Sequence, residues 1–154
     1  MPVGVIDSGE VVTPSCSVYN FGNQTVTYQV RMKIGESYDE IASVSNHLPD
    51  STLYLAFSDW TANQIGTYPV SCATELSGDL DSINNNRIDS VIVRRRVYDV
   101  GCTKIEAPTG TIDSGQVITP ACSVYNYGNQ IVNYTVRMKI GEFYNETANI
   151  SNHD

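Results

Sequence analysis

The chain has 154 residues, 41% of them hydrophobic and 17% charged, with a formal net charge of −8. That apolar content excludes a disordered chain, and an acidic balance with no offsetting basic face excludes nucleic acid as a partner. No run of 18 apolar residues occurs, so no helix of this segment inserts into a membrane, and no signal peptide is visible.

The expected elements are all strands. Residues 11–20 read as the first, with Val12, Pro14, Cys16 and Val18 on one face. Residues 20–23 (NFGN) supply turn formers. Residues 26–34 form a second strand with Tyr28, Val30 and Met32 inward, ended by Gly35. Residues 38–45 form a third, weaker strand, and Pro49 and Asp50 mark a turn. Residues 53–57 alternate Leu53, Leu55 and Phe57, followed by Trp60, the one tryptophan. Residues 67–75 place Tyr68, Val70 and Cys72 on a shared face. Residues 77–86 (SGDLDSINNN) are a polar hairpin loop, and residues 88–95 close the unit. The basic run at residues 94–96 reads as a solvated strand end. Residues 98–105 open a further unit with Val100 and Cys102 inward. No segment carries a helical period.

The chain repeats itself. Shifted by 106 positions, residues 2–47 fall on residues 108–153 without a gap, and 32 of the 46 positions are identical. From residue 25 onward the differences fall mostly on odd positions, such as Thr25/Ile131, Thr27/Asn133 and Gln29/Thr135. The apolar even positions Val26, Tyr28, Val30, Met32 and Ile34 stay fixed. A period of two means strands with a fixed face toward a core and a variable face toward water. Residues 26–32 and 132–138 are therefore expected to bury their even positions. Residues 1–97 read as one repeat lacking its first strand, and residues 98–154 as the first half of the next, as if cut from a longer array. Short strands at roughly ten-residue spacing argue for an all-β, Ig-like sandwich in tandem, one copy nearly complete and one partial.

A strand ending in KIEAPTG, a later strand ending in YNYGN, a GTYPVSCATE strand and an Asn-rich acidic hairpin resemble the bacterial cell-adhesion-related (CARDB) domain. The likeness rests on residues 105–110, 124–128, 66–75 and 84–86 with Trp60. It implies an Ig-like sandwich found in tandem on secreted and surface proteins, and it carries over no active site.

Four cysteines depart from that pattern: Cys16, Cys72, Cys102 and Cys122. None lies in a CxxC pair, and zinc would need closer ligands. Cys16 and Cys72 fall on the inward parity of strands that face each other across an Ig-like sandwich, the usual bridge position, so a disulfide is expected; two buried free thiols are the alternative. Cys122 is the copy of Cys16. Cys102 either reaches Cys122 on the neighbouring strand or bonds to another repeat. A disulfide implies export to an oxidising compartment.

Other groups carry weaker signals. His47 and His153 occupy one repeat position in a polar SNH stretch and read as solvated. Asp79 and Asp81 sit among turn formers, without EF-hand spacing. Sequons occur at Asn23, Asn133, Asn145 and Asn149 as candidate glycosylation sites. The serines form no GxSxG elbow. No catalytic, metal or cofactor-binding residue is assigned, and an enzyme is not expected. The expected function is a structural segment of an extracellular fibre, filament or surface stalk, whose partners are head-to-tail copies of itself. The alternative is a carbohydrate-binding or adhesive accessory module of a secreted bacterial protein, with glycans as partners.

Overall fold

A computed structural model describes residues 2–154. The chain divides into two compact units, Met1–Arg95 and Arg96–Asp154.

The first unit contains β1 (Gly4–Asp7), β2 (Val11–Val12), β3 (Ser15–Tyr19), β4 (Val26–Ile34), β5 (Tyr38–His47), β6 (Thr52–Ala56), β7 (Trp60–Thr61), β8 (Gly66–Glu75) and β9 (Asn86–Arg94). One layer is a five-stranded sheet in the order β1-β9-β8-β4-β5, with β1 parallel to β9 and the other neighbours antiparallel. The other layer consists of the antiparallel pairs β3–β6 and β2–β7. Val30, Met32, Ile34, Val70, Val91 and Val93 of the sheet and Val18, Phe57, Trp60 and Ala62 of the facing layer form one core. Fully burying an aliphatic side chain of this kind stabilises by about 1.5–3 kcal/mol. Together these layers make an Ig-like β-sandwich.

Parity in β4 follows the period-two variation between copies. Tyr28, Val30, Met32 and Ile34 are buried, whereas Thr27, Gln29 and Lys33 are exposed. Two strand expectations need correction. Residues 11–20 are not one strand: β2 and β3 pair with different partners, and the fully buried Pro14 lies between them. Proline has no N–H to offer a ladder, so the pairing changes there. The third strand is also not weak. β5 runs ten residues to His47, because it pairs with β4 along its length. The polar hairpin at residues 77–86 contains a single 3₁₀ turn, Ser82–Asn84.

The second unit contains β10 (Val100–Ala107), β11 (Ala121–Asn126), β12 (Val132–Ile140) and β13 (Tyr144–His153). β10 pairs antiparallel with β11, and β12 with β13. A cleft of about 300 Å³ lies between the ladders, lined by Cys122, Val124, Val136, Met138 and Ile150 among others. The inward parity of β12 holds, but Val132, Tyr134, Val136 and Met138 are half-buried rather than buried, and Ile140 is exposed. Strands equivalent to β6, β8 and β9 are what bury this face in the first unit. Among the described residues no helix is long and apolar enough to cross a membrane.

Candidate functional site

The internal repeat makes every local arrangement readable twice. At the start of β4 in the first unit, the Tyr28 hydroxyl lies 2.8 Å from His47 Nδ1, and His47 Nε2 lies 2.9 Å from the Ser51 carbonyl. A carbonyl only accepts, so Nε2 carries the proton and Nδ1 accepts from the tyrosine. His47 is fully buried. The expectation of a solvated histidine is therefore corrected, and the cause is a β-bulge. Val26 pairs with His47 but Tyr28 pairs with Val44, so β5 carries one extra residue, with Asn46 at a φ of 55°. The extra residue reverses the parity and turns His47 inward. His153 repeats the geometry: its Nδ1 lies 2.6 Å from the Tyr134 hydroxyl, and Asn152 has a φ of 53°. Burial raises the Tyr28 hydroxyl above the ordinary tyrosine range, with the nearby Cys16 adding to it.

Beside the histidine, Asn20 clamps the loop after β3. Its Nδ2 donates to the carbonyls of Gln24 (2.9 Å) and His47 (3.0 Å), and its Oδ1 accepts from the Gly22 amide at 2.9 Å. Asn126 makes the same three bonds to Gln130, His153 and Gly128 at the same distances. This clamp fills all three strong sites of a buried amide and fixes the loop shape in both copies.

Cys16 and Cys72 are brought together across the core as thiols within hydrogen-bonding reach of each other. The contact with Cys72 lowers the Cys16 pKa below the ordinary thiol value. The same contact, with burial, pushes Cys72 strongly up. In the second unit, Cys102 and Cys122 are neighbours on β10 and β11, and partial burial with the proximity of Cys102 raises the Cys122 thiol. One thiol held toward its thiolate beside another is the arrangement from which a disulfide forms once an oxidant is present.

The four sequon residues, Asn23, Asn133, Asn145 and Asn149, are all exposed. Asn133 Oδ1 accepts from the Asn152 amide and Asn149 Oδ1 from the Thr135 hydroxyl, so both side chains are oriented along their ladder. The acidic hairpin is occupied with itself. Asp79 Oδ1 accepts from the Asp81 amide at 3.0 Å, and Asp81 caps the 3₁₀ turn through the Ile83 amide at 3.1 Å. Among the described residues no group of three His, Cys, Asp or Glu side chains converges as a metal site would require.

The remaining open feature of the first unit is one edge of β3, which pairs only with β6 among the described residues. A cleft of about 770 Å³ runs along it, lined by Val18, Tyr19, Asn20, Cys72, Thr74 and Leu76 among others. The aromatic pair Tyr19–Phe21, with ring centroids 4.5 Å apart, stands at this edge and is largely exposed.

No protein-family model matches the sequence, and no curated protein matches it. Among solved structures, the chain is similar to the CARDB domain of the PF1109 protein from Pyrococcus furiosus, solved in complex with di-metal ions. The TM-score is 0.51 at 22% identity, over 61% of this chain and 83% of that one. The likeness is one of fold: an all-β, Ig-like sandwich of the kind seen in CARDB domains, as the motifs at residues 105–110 and 124–128 implied.

Proposed function

We propose that the chain is a structural segment of an extracellular protein in which Ig-like units recur every 106 residues and associate head to tail as a filament or stalk. The observation that carries this reading is the duplicated skeleton. The histidine–tyrosine bond, the asparagine clamp and the inward face of β4 are reproduced in the second copy, while the substitutions along β4 itself, at Thr27 and Gln29, lie on outward positions. A reaction centre needs one set of groups, whereas a repeating assembly needs one surface many times over. The resemblance to cell-adhesion-related domains supports a secreted or cell-surface location, where the adjoining thiols of Cys16 and Cys72 would meet an oxidant.

Small-angle scattering on the 154-residue chain across a concentration series tests the proposal. Rods of constant cross-section that lengthen with concentration support it. A compact monomer at every concentration contradicts it.

A further inference from the structure

The β12–β13 ladder repeats the β4–β5 ladder strand for strand, and the two differ in sequence at few positions. One difference, Val44/Ile150, is inward and keeps an apolar residue. The others are Thr27/Asn133, Gln29/Thr135, Asp39/Asn145, Ile41/Thr147 and Ser43/Asn149, and every one lies on the outward face.

Each of these outward differences supplies part of an Asn-x-Ser/Thr sequon in the second copy. Asn133 with Thr135 makes one, and Asn145 with Thr147 makes another. Asn149 makes a third with Ser151, whose counterpart Ser45 is also a serine. The first ladder, residues 26–47, contains no sequon, and the sequon at Asn23 lies off it in the loop after β3. Free drift on a wet strand face accepts Lys, Glu, Asp and Gln as readily as Asn and Thr. It has no reason to pair its changes two positions apart. We propose that the outward face of the β12–β13 ladder carries N-linked oligosaccharides at Asn133, Asn145 and Asn149. The inference rests on the extracellular location proposed above and is independent of the filament.

The geometry suits the attachment. Asn133 Oδ1 accepts from the Asn152 backbone amide at 2.7 Å, and Asn149 Oδ1 from the Thr135 hydroxyl at 2.9 Å. A backbone N–H only donates, which fixes the orientation of the Asn133 side chain. In both side chains the oxygen is engaged, and Nδ2, the atom that takes a sugar, has no acceptor among the described residues. A glycosylated asparagine keeps its carbonyl oxygen, so both bonds survive. In the transfer, the Nδ2–C1 bond forms as the C1–O bond to a lipid pyrophosphate donor breaks. The pyrophosphate leaves with the electron pair, and Nδ2 gives one proton to solvent. The first unit shows that the face is open in a five-stranded sheet, because Thr27, Gln29, Asp39, Ile41 and Ser43 are all exposed there.

Two further differences fit the same face. Asp39 is held by Arg31 at 3.2 Å and Lys33 at 3.3 Å, and Asn145 gives up that charge. Ser37 becomes Phe143, which is fully exposed at the hairpin tip two residues before Asn145. A ring with no protein to pack on is within reach of the first sugar on Asn145, whose C–H face would cover it.

Mass spectrometry of intact glycopeptides from native protein recovered outside the cell tests the proposal. Sugar on the peptides bearing Asn133, Asn145 and Asn149 is expected. Bare asparagines at these sites on extracellular protein would overturn the inference and leave the location standing. A bare chain confined to the cytoplasm would overturn both.

Variants of the full chain, exported from a host with an N-glycan transferase, test the individual groups. Thr147→Val is expected to lose the Asn145 glycan, read as one step of gel mobility, and Thr147→Ser to keep it. A glycan retained at Asn145 in T147V would overturn the assignment of that site. Enzymatic removal of the glycans is expected to speed hydrogen exchange in the β12–β13 hairpin roughly two- to tenfold, the size of a ring contact. The same treatment of Phe143→Ser should change it little. Equal changes in both chains would overturn the contact with Phe143.

Discussion

The Tyr28 hydroxyl and His47 Nδ1 meet at 2.8 Å inside the first unit, and 106 residues later Tyr134 and His153 meet at 2.6 Å in the same way. The bond ties the start of β4 to the end of β5. His47 passes the connection on to the Ser51 carbonyl through Nε2, and its own carbonyl receives the Asn20 side chain. The loop after β3, the start of β4 and the turn after β5 are locked around one imidazole.

Replacing His47 by Ala orphans the buried Tyr28 hydroxyl and opens a cavity. The expected loss is roughly 3 kcal/mol of unfolding free energy, against about 1 kcal/mol for Tyr28→Phe. Denaturant titration of both single variants and the double variant is expected to show strong non-additivity. Additive losses would mean that the two residues act independently.

The thiols of Cys16 and Cys72 adjoin, and we expect them to be bonded in protein isolated from an oxidising compartment. Mass spectrometry of a non-reduced digest checks the pairing. Reduction should then lower stability by about 4 kcal/mol, the chain-entropy value for a loop of about 55 residues.

Tyr38 donates to the Ser58 carbonyl at 2.6 Å, and burial, with Glu40 and Asp59 nearby, pushes its pKa up to about 12 from 10.0. The folded chain therefore holds this proton more tightly than the unfolded chain. Its contribution is complete below pH 10 and is lost as the pH rises from 10 to about 12. Tyr38→Phe removes the titrating group, so its stability curve is expected to be flatter over that window even if its absolute stability is lower.

Gly35 and Gly141 are the same repeat position, each with a φ of 56°. An added Cβ at Gly35 would strike the Tyr68 ring at 2.9 Å, but at Gly141 it meets nothing within 4 Å. Both alanine variants carry a backbone cost of about 1 kcal/mol. Only G35A also displaces a packed ring. Hydrogen exchange should show the β4–β5 hairpin loosened more by G35A than the β12–β13 hairpin is by G141A.

Much of this fold was legible because the chain contains its own comparison. Substitutions at Thr25, Thr27 and Gln29, set against fixed Tyr28, Val30 and Met32, mark the two faces of β4 in the sequence itself. What stayed hidden is what breaks the period of two. The extra residue at Asn46 turns His47 inward, and no residue type announces a bulge of that kind. Pro14 did announce itself, but its consequence, a change of strand partner, depends on which segments lie across from it.

The central claim is that these units join end to end. Electron microscopy of the native polypeptide, with its axial spacing measured, tests it most directly. A ten-residue strand at about 3.3 Å per residue sets a unit length of roughly 33 Å. The account predicts a beaded or helical fibre with an axial repeat near that length. Isolated globular particles with no axial periodicity would contradict it.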